Sequence, residues 1–250
     1  MVEIGSKKGN QFEGKEKYVK DVFTEIADDY DEMNDVMSLR MIHSWHKFMI
    51  KKAGDIYGKK CLDIGTGTGE IAFQIAKEAG PFSTIIAVDI TPHMLEVAKK
   101  KETRLNLPVK IDWRIGDALK LDIPDNSIDL VTSGYMLRNV TDISKALSEM
   151  YRVVVPGGKV VVAELSKPKN RILLLGYDMY MKRVRKCGHD HDRGKVIDGR
   201  QPAYEWLESS IEGFPYGEDM IKIFEESGFV DTKCYTKSMG AVSIYTATKQ

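Results

Sequence analysis

Two periods of apolar residues alternate along this chain. Short runs rich in aliphatic and β-branched residues occupy residues 61–64, 84–88, 109–115, 128–133 and 159–165, and each reads as a strand. Between them the apolar positions take helical spacing. Ile71, Ala72, Ile75 and Ala76 share one face, and Gly80-Pro81 ends that helix. Thr91 and Pro92 are suited to N-cap and first-turn positions of a helix running to about residue 104, and residues 144–153 form another. Strand, helix and strand in regular turn predict parallel strands joined by right-handed crossovers. Residues 159–165 are apolar almost without interruption, as expected at the buried centre of a sheet.

Two regions depart from that rhythm. Residues 20–49 carry Val22, Phe23, Ile26 and Tyr30, then Val36, Met37, Met41 and Trp45, at helical spacing ahead of the first strand. They read as one helical segment, either a cover over the C-terminal edge of the strands or a plain packing helix. Residues 166–216 form an insert. Within it residues 173–181 are apolar nearly all round, residues 204–211 are helical, and Gly188 and Gly194 flank a loop bearing His189 and His191. A helix over 219–227 stops at Gly228. Residues 229–237 and 242–248, joined by Ser238-Met239-Gly240, close the sheet as an antiparallel pair. The prediction is an α/β chain whose mostly parallel seven-stranded sheet carries helices on both faces. Residues 1–17 read as a polar terminus without order and 18–250 as one domain, with 18–52 as its helical cover.

Composition narrows the function. Thirty-seven basic and thirty-seven acidic side chains cancel, so no global field draws the chain to nucleic acid. Cys61, Cys187 and Cys234 lack paired spacing, which disfavours disulfides and zinc and fits a reducing cytoplasm. His189 and His191 fit a flexible loop better than a metal site. No apolar run approaches the roughly 20 residues of a membrane span.

The chemistry centres on Gly65-Thr66-Gly67-Thr68-Gly69, between the first strand and its helix. Side chains there would hold a ligand off the backbone, and the N–H groups opening the helix face whatever sits above. Asp89 ends the next strand, where a carboxylate can accept both ribose hydroxyls of a nucleoside. In a dinucleotide fingerprint the third small residue would fall on Glu70, a poor host for pyrophosphate, so NAD is disfavoured. Asp63-x-Gly65-x-Gly67-x-Gly69 instead resembles the first motif of class I S-adenosylmethionine (SAM) methyltransferases, with Asp63 suited to an ammonium group. The competing reading is a glycine turn without a ligand. Asp117 again lies at a strand end.

Several further stretches are similar to one family. They are Tyr30-Asp31-x-Met33-Asn34-Asp35-x-Met37-Ser38, Leu137-Arg138-Asn139-Val140-Thr141-Asp142, Pro156-Gly157-Gly158, Glu164-x-Ser166-Lys167-Pro168 and Tyr204-x-x-Leu207-x-x-Ser210-Ile211-x-x-Phe214-Pro215. Together they resemble the UbiE/COQ5 family, the C-methyltransferases of menaquinone and ubiquinone biosynthesis. The resemblance implies a class I, Rossmann-like methyltransferase fold and SAM as cofactor. Its cofactor contacts carry over to Thr68, Asp89, Asp117 and Ala118, and Asp63, Gly65, Gly67, Ile90 and Met94 complete the expected set. The family's next contact, a serine, is Gly134 here, which leaves a backbone contact. Arg40 and Ile42 stand where the family has Gly and His, and residues 187–199 do not match it.

The implied reaction puts a methyl group on a ring carbon, which is a weak nucleophile until a hydroquinone hydroxyl loses its proton. Asp31, Asp35, His43 and Tyr177 are candidate bases, with Asp31 placed first. Arg138 suits a developing phenolate by charge. Tyr30, Asn139 and Tyr177 are expected on the acceptor side. A lipophilic quinol is the expected partner, demethylmenaquinol before others. Another lipophilic phenol, or a non-catalytic SAM- or quinone-binding role, stays open. Residues 173–181 with Lys182, Arg183, Arg185 and Lys186 could meet a membrane surface transiently or form a core helix with a solvated end. A second copy of the chain is a further expected partner.

Overall fold

A computed structural model describes residues 14–168, 170–192 and 203–250, apart from the side chains of residues 185–192 and 203–204. Residues 1–13 lie outside it, as do the side chains of His189, His191, Arg185 and Lys186. The seven strands are β1 (Lys60–Ile64), β2 (Thr84–Asp89), β3 (Ile111–Ile115), β4 (Ile128–Gly134), β5 (Val154–Leu165), β6 (Phe229–Lys237) and β7 (Val242–Lys249). They form one sheet in the order β3-β2-β1-β4-β5-β7-β6. β1 to β5 pair in parallel, and β7 runs antiparallel between β5 and β6.

Strand alternation builds two cores. In β2, Ile85 and Ala87 face α3 (Ile42–Ala53) and α4 (Glu70–Ala79), whose apolar faces include Met49, Ile50, Ile75 and Ala76. Ile86 and Val88 face the other way, into a core shared with Leu147 and Met150 of α6 (Ile143–Val153) and Phe224 of α9 (Glu218–Glu226). Each large aliphatic side chain fully buried this way contributes roughly 1.5–3 kcal/mol. The register fixes the site: Ile64 pairs with Val88, so the chain leaves β1 level with Asp89. Strand order reverses between β1 and β4, and the crevice outside their carboxyl ends is where open α/β sheets bind ligands.

Residues 20–49 are not one helix. They belong to α1 (Lys15–Ile26), α2 (Tyr30–Ser38) and α3. Leu39 and Arg40 take left-handed φ of 50° and 61°, which ends α2 without any glycine or proline to announce it. The two readings of this region divide between its parts. α3 packs on the sheet face, whereas α1 and α2 lie over the strand ends. Order begins earlier than residue 18, since Lys15 opens α1 and is buried. Pro156-Gly157-Gly158 lies inside β5 beside a register shift, not in a separate turn. Between β2 and β3 runs α5 (Pro92–Glu102). α7 (Arg171–Asp192) is longer than its apolar stretch indicated, and α8 (Ala203–Glu212) follows it.

Candidate active site

The glycine loop and Asp89 form one hydrogen-bonded unit. Gly67 N–H donates to Asp89 Oδ2 and Thr91 N–H to Asp89 Oδ1, each at 2.8 Å. A carboxylate has about four lone-pair sites, so each oxygen can still accept from a ligand hydroxyl. Burial raises the Asp89 pKa, and these backbone donors oppose the rise. Gly67 has φ of 54°, and a Cβ there would point across open space to Tyr30 Cε1, 4.0 Å away. A side chain at this position would occupy the space above the loop. A Cβ on Gly134 would meet Ile71 Cδ1, the tip of that side chain, which occupies the space beside the glycine here.

A cavity of about 110 Å³ lies against this unit, lined by Gly65, Gly67, Asp89, Ile90, Met94, Asp117, Ala118 and Gly134. Thr68 is turned to the other side of the loop. Its hydroxyl donates to Asp31 Oδ1 at 2.6 Å, on a second small cavity beneath α2 and α3. Asp63 sits lower still. It is fully buried between strands, accepts from Thr132 Oγ1 at 2.6 Å, and lines none of these spaces. Burial pushes its pKa up to about 6. Its second oxygen, Oδ2, is buried with no hydrogen-bond partner among the described residues.

On the far side of Tyr30 and Tyr135 opens an apolar cavity of about 410 Å³, walled by α1, α2, α7, α8 and the loop after β4. Tyr30 and Tyr135 line this cavity and both smaller ones, so they stand at the junction. Arg138, Asn139 and Tyr177 all line the apolar cavity, and Asn139 the cofactor-side one too. No carboxylate lines it among the described residues. Arg138 Nη1 bonds Glu164 Oε2 at 2.9 Å, and Glu164 is wholly buried. Burial raises the Glu164 pKa while the guanidinium opposes it. Asn139 is fixed at both ends, donating to Tyr135 O (3.2 Å) and accepting from Trp206 Nε1 (3.1 Å). Lys15 clasps α1 to the same loop through Arg138 O (3.3 Å) and Val140 O (2.7 Å). Its burial lowers its pKa to about 8.

Residues 11–249 match the ubiE/COQ5 methyltransferase family. A demethylmenaquinone methyltransferase from Symbiobacterium thermophilum is 35% identical, over 95% of both chains. The ubiquinone/menaquinone biosynthesis C-methyltransferase UbiE of Rickettsia bellii is 37% identical, over 94% of each. The chain belongs to the ubiE/COQ5 methyltransferase family. In fold it is similar to a possible histamine N-methyltransferase from Thermotoga maritima, a SAM-dependent enzyme. Their TM-score is 0.63 at 18% identity, covering 93% of this chain and all of the other. An Aquifex aeolicus SAM-dependent methyltransferase gives 0.59 at 17% identity, over 87% and 96%.

This methyltransferase thus uses SAM, and its residues fit that cofactor. The glycine cradle at Gly67, the remaining lone pairs of Asp89, and the apolar Ile90, Met94 and Ala118 suit a nucleoside with no phosphate. The base candidates fare less well. Asp31 is held by Thr68 and by Lys101 Nζ at 2.5 Å, a lysine that also binds Glu70, and it does not line the apolar cavity. Through Thr68 it ties α2 to the glycine loop. Asp35 and His43 pair with each other at 2.7 Å, also outside the apolar cavity. Tyr177 does line it, but burial pushes its pKa up to about 12, so near neutrality it is a donor.

The sequence missed three members of the methyltransferase's site. Tyr135 has φ of 60°, and its buried hydroxyl has no hydrogen-bond partner among the described residues. His46 is likewise buried with Nε2 unpartnered, its ring 6.0 Å from that of Tyr135, and burial lowers its pKa to about 4. Glu164, the counter-ion of Arg138, lies in the Glu164-x-Ser166-Lys167-Pro168 stretch, where nothing local marks it as a charge partner. Helical spacing in α3 made His46 a plain packing position, and nothing local marks Tyr135 apart from the loop it follows.

Proposed function

We propose that the chain methylates a ring carbon of a prenylated quinol, demethylmenaquinol in preference to other acceptors. The observation that carries this reading is the apolar 410 Å³ cavity, joined at Tyr30 and Tyr135 to the cofactor side and furnished, among the described residues, with one guanidinium and no carboxylate. Pockets for ligands of about drug size run roughly 300–1,000 Å³. The space accepts a two-ring quinol head and the start of its side chain.

Bound SAM supplies an electrophilic methyl group on sulfur. Gly65, Gly67 and Asp89 hold its nucleoside, and Tyr30 and Tyr135 screen the junction from water. The acceptor's hydroxyl meets Arg138 and Asn139. Arg138 favours loss of the hydroxyl proton to water by stabilising the phenolate, which makes the adjacent ring carbon nucleophilic. Glu164 and Asn139 orient the groups that do this. As the ring carbon takes the methyl, the carbon–sulfur bond to it breaks and leaves a neutral thioether; the ring carbon's own proton then passes to water and aromaticity returns.

The test is incubation with methyl-labelled SAM and either demethylmenaquinol or a demethylated ubiquinol precursor. Label on the naphthoquinol ring carbon is expected, with the oxidised quinone inert. Label confined to the ubiquinol precursor would reassign the acceptor. Bound SAM with no transfer to either would leave an accessory role.

A further inference from the structure

We propose that the mouth of the apolar cavity is the face by which this enzyme seats on an anionic lipid bilayer, an inference that rests on the quinol reading above. Three large apolar side chains at that mouth are turned to solvent: Leu39 is 70% exposed, Ile172 82% and Met239 76%. They come from the α2–α3 turn, the start of α7 and the β6–β7 turn, far apart in the chain. Single exposed apolar residues are ordinary; three converging on one cavity rim mark a contact surface. Leu175 and Met179, 64% and 66% exposed, continue the stripe along α7, three and seven residues beyond Ile172.

The backbone holds two of these tips outward. Leu39, Arg40, Ser238 and Met239 all adopt left-handed φ, and Trp45 Nε1 donates to Ser238 Oγ at 3.1 Å, tying the second turn to α3. Charge then selects the occupant. Arg40, Arg171, Lys182 and Arg183 are exposed around the stripe, against Asp178 on the outer face of α7. Arg40 has Asp35 at 3.6 Å and remains 80% exposed. Apolar side chains among cations match an anionic membrane interface. Volume points the same way. About 410 Å³ houses a ring and the first part of its tail, so the rest of a polyprenyl chain must leave through the mouth into an apolar medium. The docking surface is thus wider than the helix and basic cluster singled out in the sequence, since two turns far from α7 share it.

Co-sedimentation with vesicles of phosphatidylcholine and phosphatidylglycerol tests this. The full chain is expected to bind at low salt. Leu175→Gln with Met179→Gln, which touch neither cavity nor cofactor, should lower the bound fraction at least tenfold. The same variant should turn over a short-chain, water-soluble quinol at the wild-type rate. Absence of vesicle binding, or binding unchanged both in this variant and in Leu39→Gln with Met239→Gln, overturns the proposal. So does lipid-free self-association that these variants abolish, since the face would then belong to a second copy. Stripe-dependent vesicle binding without methylation of any quinol would support the surface and remove the quinol.

Discussion

The cofactor side and the acceptor side of this molecule are built by different means. Strand ends and backbone make the first: β1, a glycine loop, β2 and Asp89 follow one another within a single stretch of chain, and Gly67 N–H locks the loop to Asp89. Side chains make the second, converging from α1, α2, the loop after β4, α7 and α8. A site assembled from consecutive backbone can be read from spacing. A site assembled from distant side chains depends on ion pairs and helix ends that spacing does not encode.

The largest expected effect breaks the acceptor side. Arg138→Ala leaves buried Glu164 without its counter-ion, which costs about 3–5 kcal/mol of stability when a buried pair loses one member. Denaturant titration measures this, and a loss below about 1 kcal/mol would mean the pair is solvated. Next comes a contrast in pH between two buried groups on either side of the glycine loop, His46 and Asp63. His46, lowered to about 4, contributes stability that is full above about pH 6.5 and is lost as pH falls through its folded value. Asp63, raised to about 6, contributes stability that is full below its unfolded value near 4 and is lost as pH rises through 6. Each slope is worth about 3 kcal/mol from its shift, and between pH 4 and 6 they oppose each other. His46→Gln should therefore uncover a fall in stability from pH 4 to 6 that the parent chain does not show. The midpoint of chemical unfolding across that range checks it.

Asp89→Ala sharpens the cofactor side. It removes a charged acceptor from the nucleoside and from two backbone donors, and SAM affinity should fall by about 1–3 kcal/mol by calorimetry. Unchanged affinity would place the ribose elsewhere. The smallest effect lies between the two sides, at the turn ending α2. Arg40 holds φ of 61°, where an L side chain costs about 1 kcal/mol. Arg40→Gly should raise thermal stability by no more than that, with the fold unaltered.

These contrasts explain what could be read in advance. The strands, the helix stop at Gly80 and the acids at strand ends follow from residue period and turn chemistry, so the sheet and the loop were legible. The break between α2 and α3 was not, because Leu39 and Arg40 carry a left-handed turn without glycine. Asp31 looked free, yet Lys101 reaches it from 70 positions away. The apolar stretch 173–181 looked uniform, but one side of α7 lines the cavity and the other meets solvent. Arg138 was legible as a charge in a loop. Glu164, which buries and orients it, was legible only as part of a motif.

Membership of the family and use of SAM leave the role of that charge as the central claim. The most direct measurement takes the variant carrying both Arg138→Gln and Glu164→Gln, which keeps the cavity neutral and avoids an orphaned carboxylate. Its SAM affinity and its single-turnover rate of quinol methylation at saturating SAM are compared with the parent chain. The account predicts SAM binding within about twofold and a methylation rate lower by about a hundredfold or more, since the guanidinium acts only as negative charge develops on the acceptor. A parallel loss of both, or an unchanged rate, would contradict it.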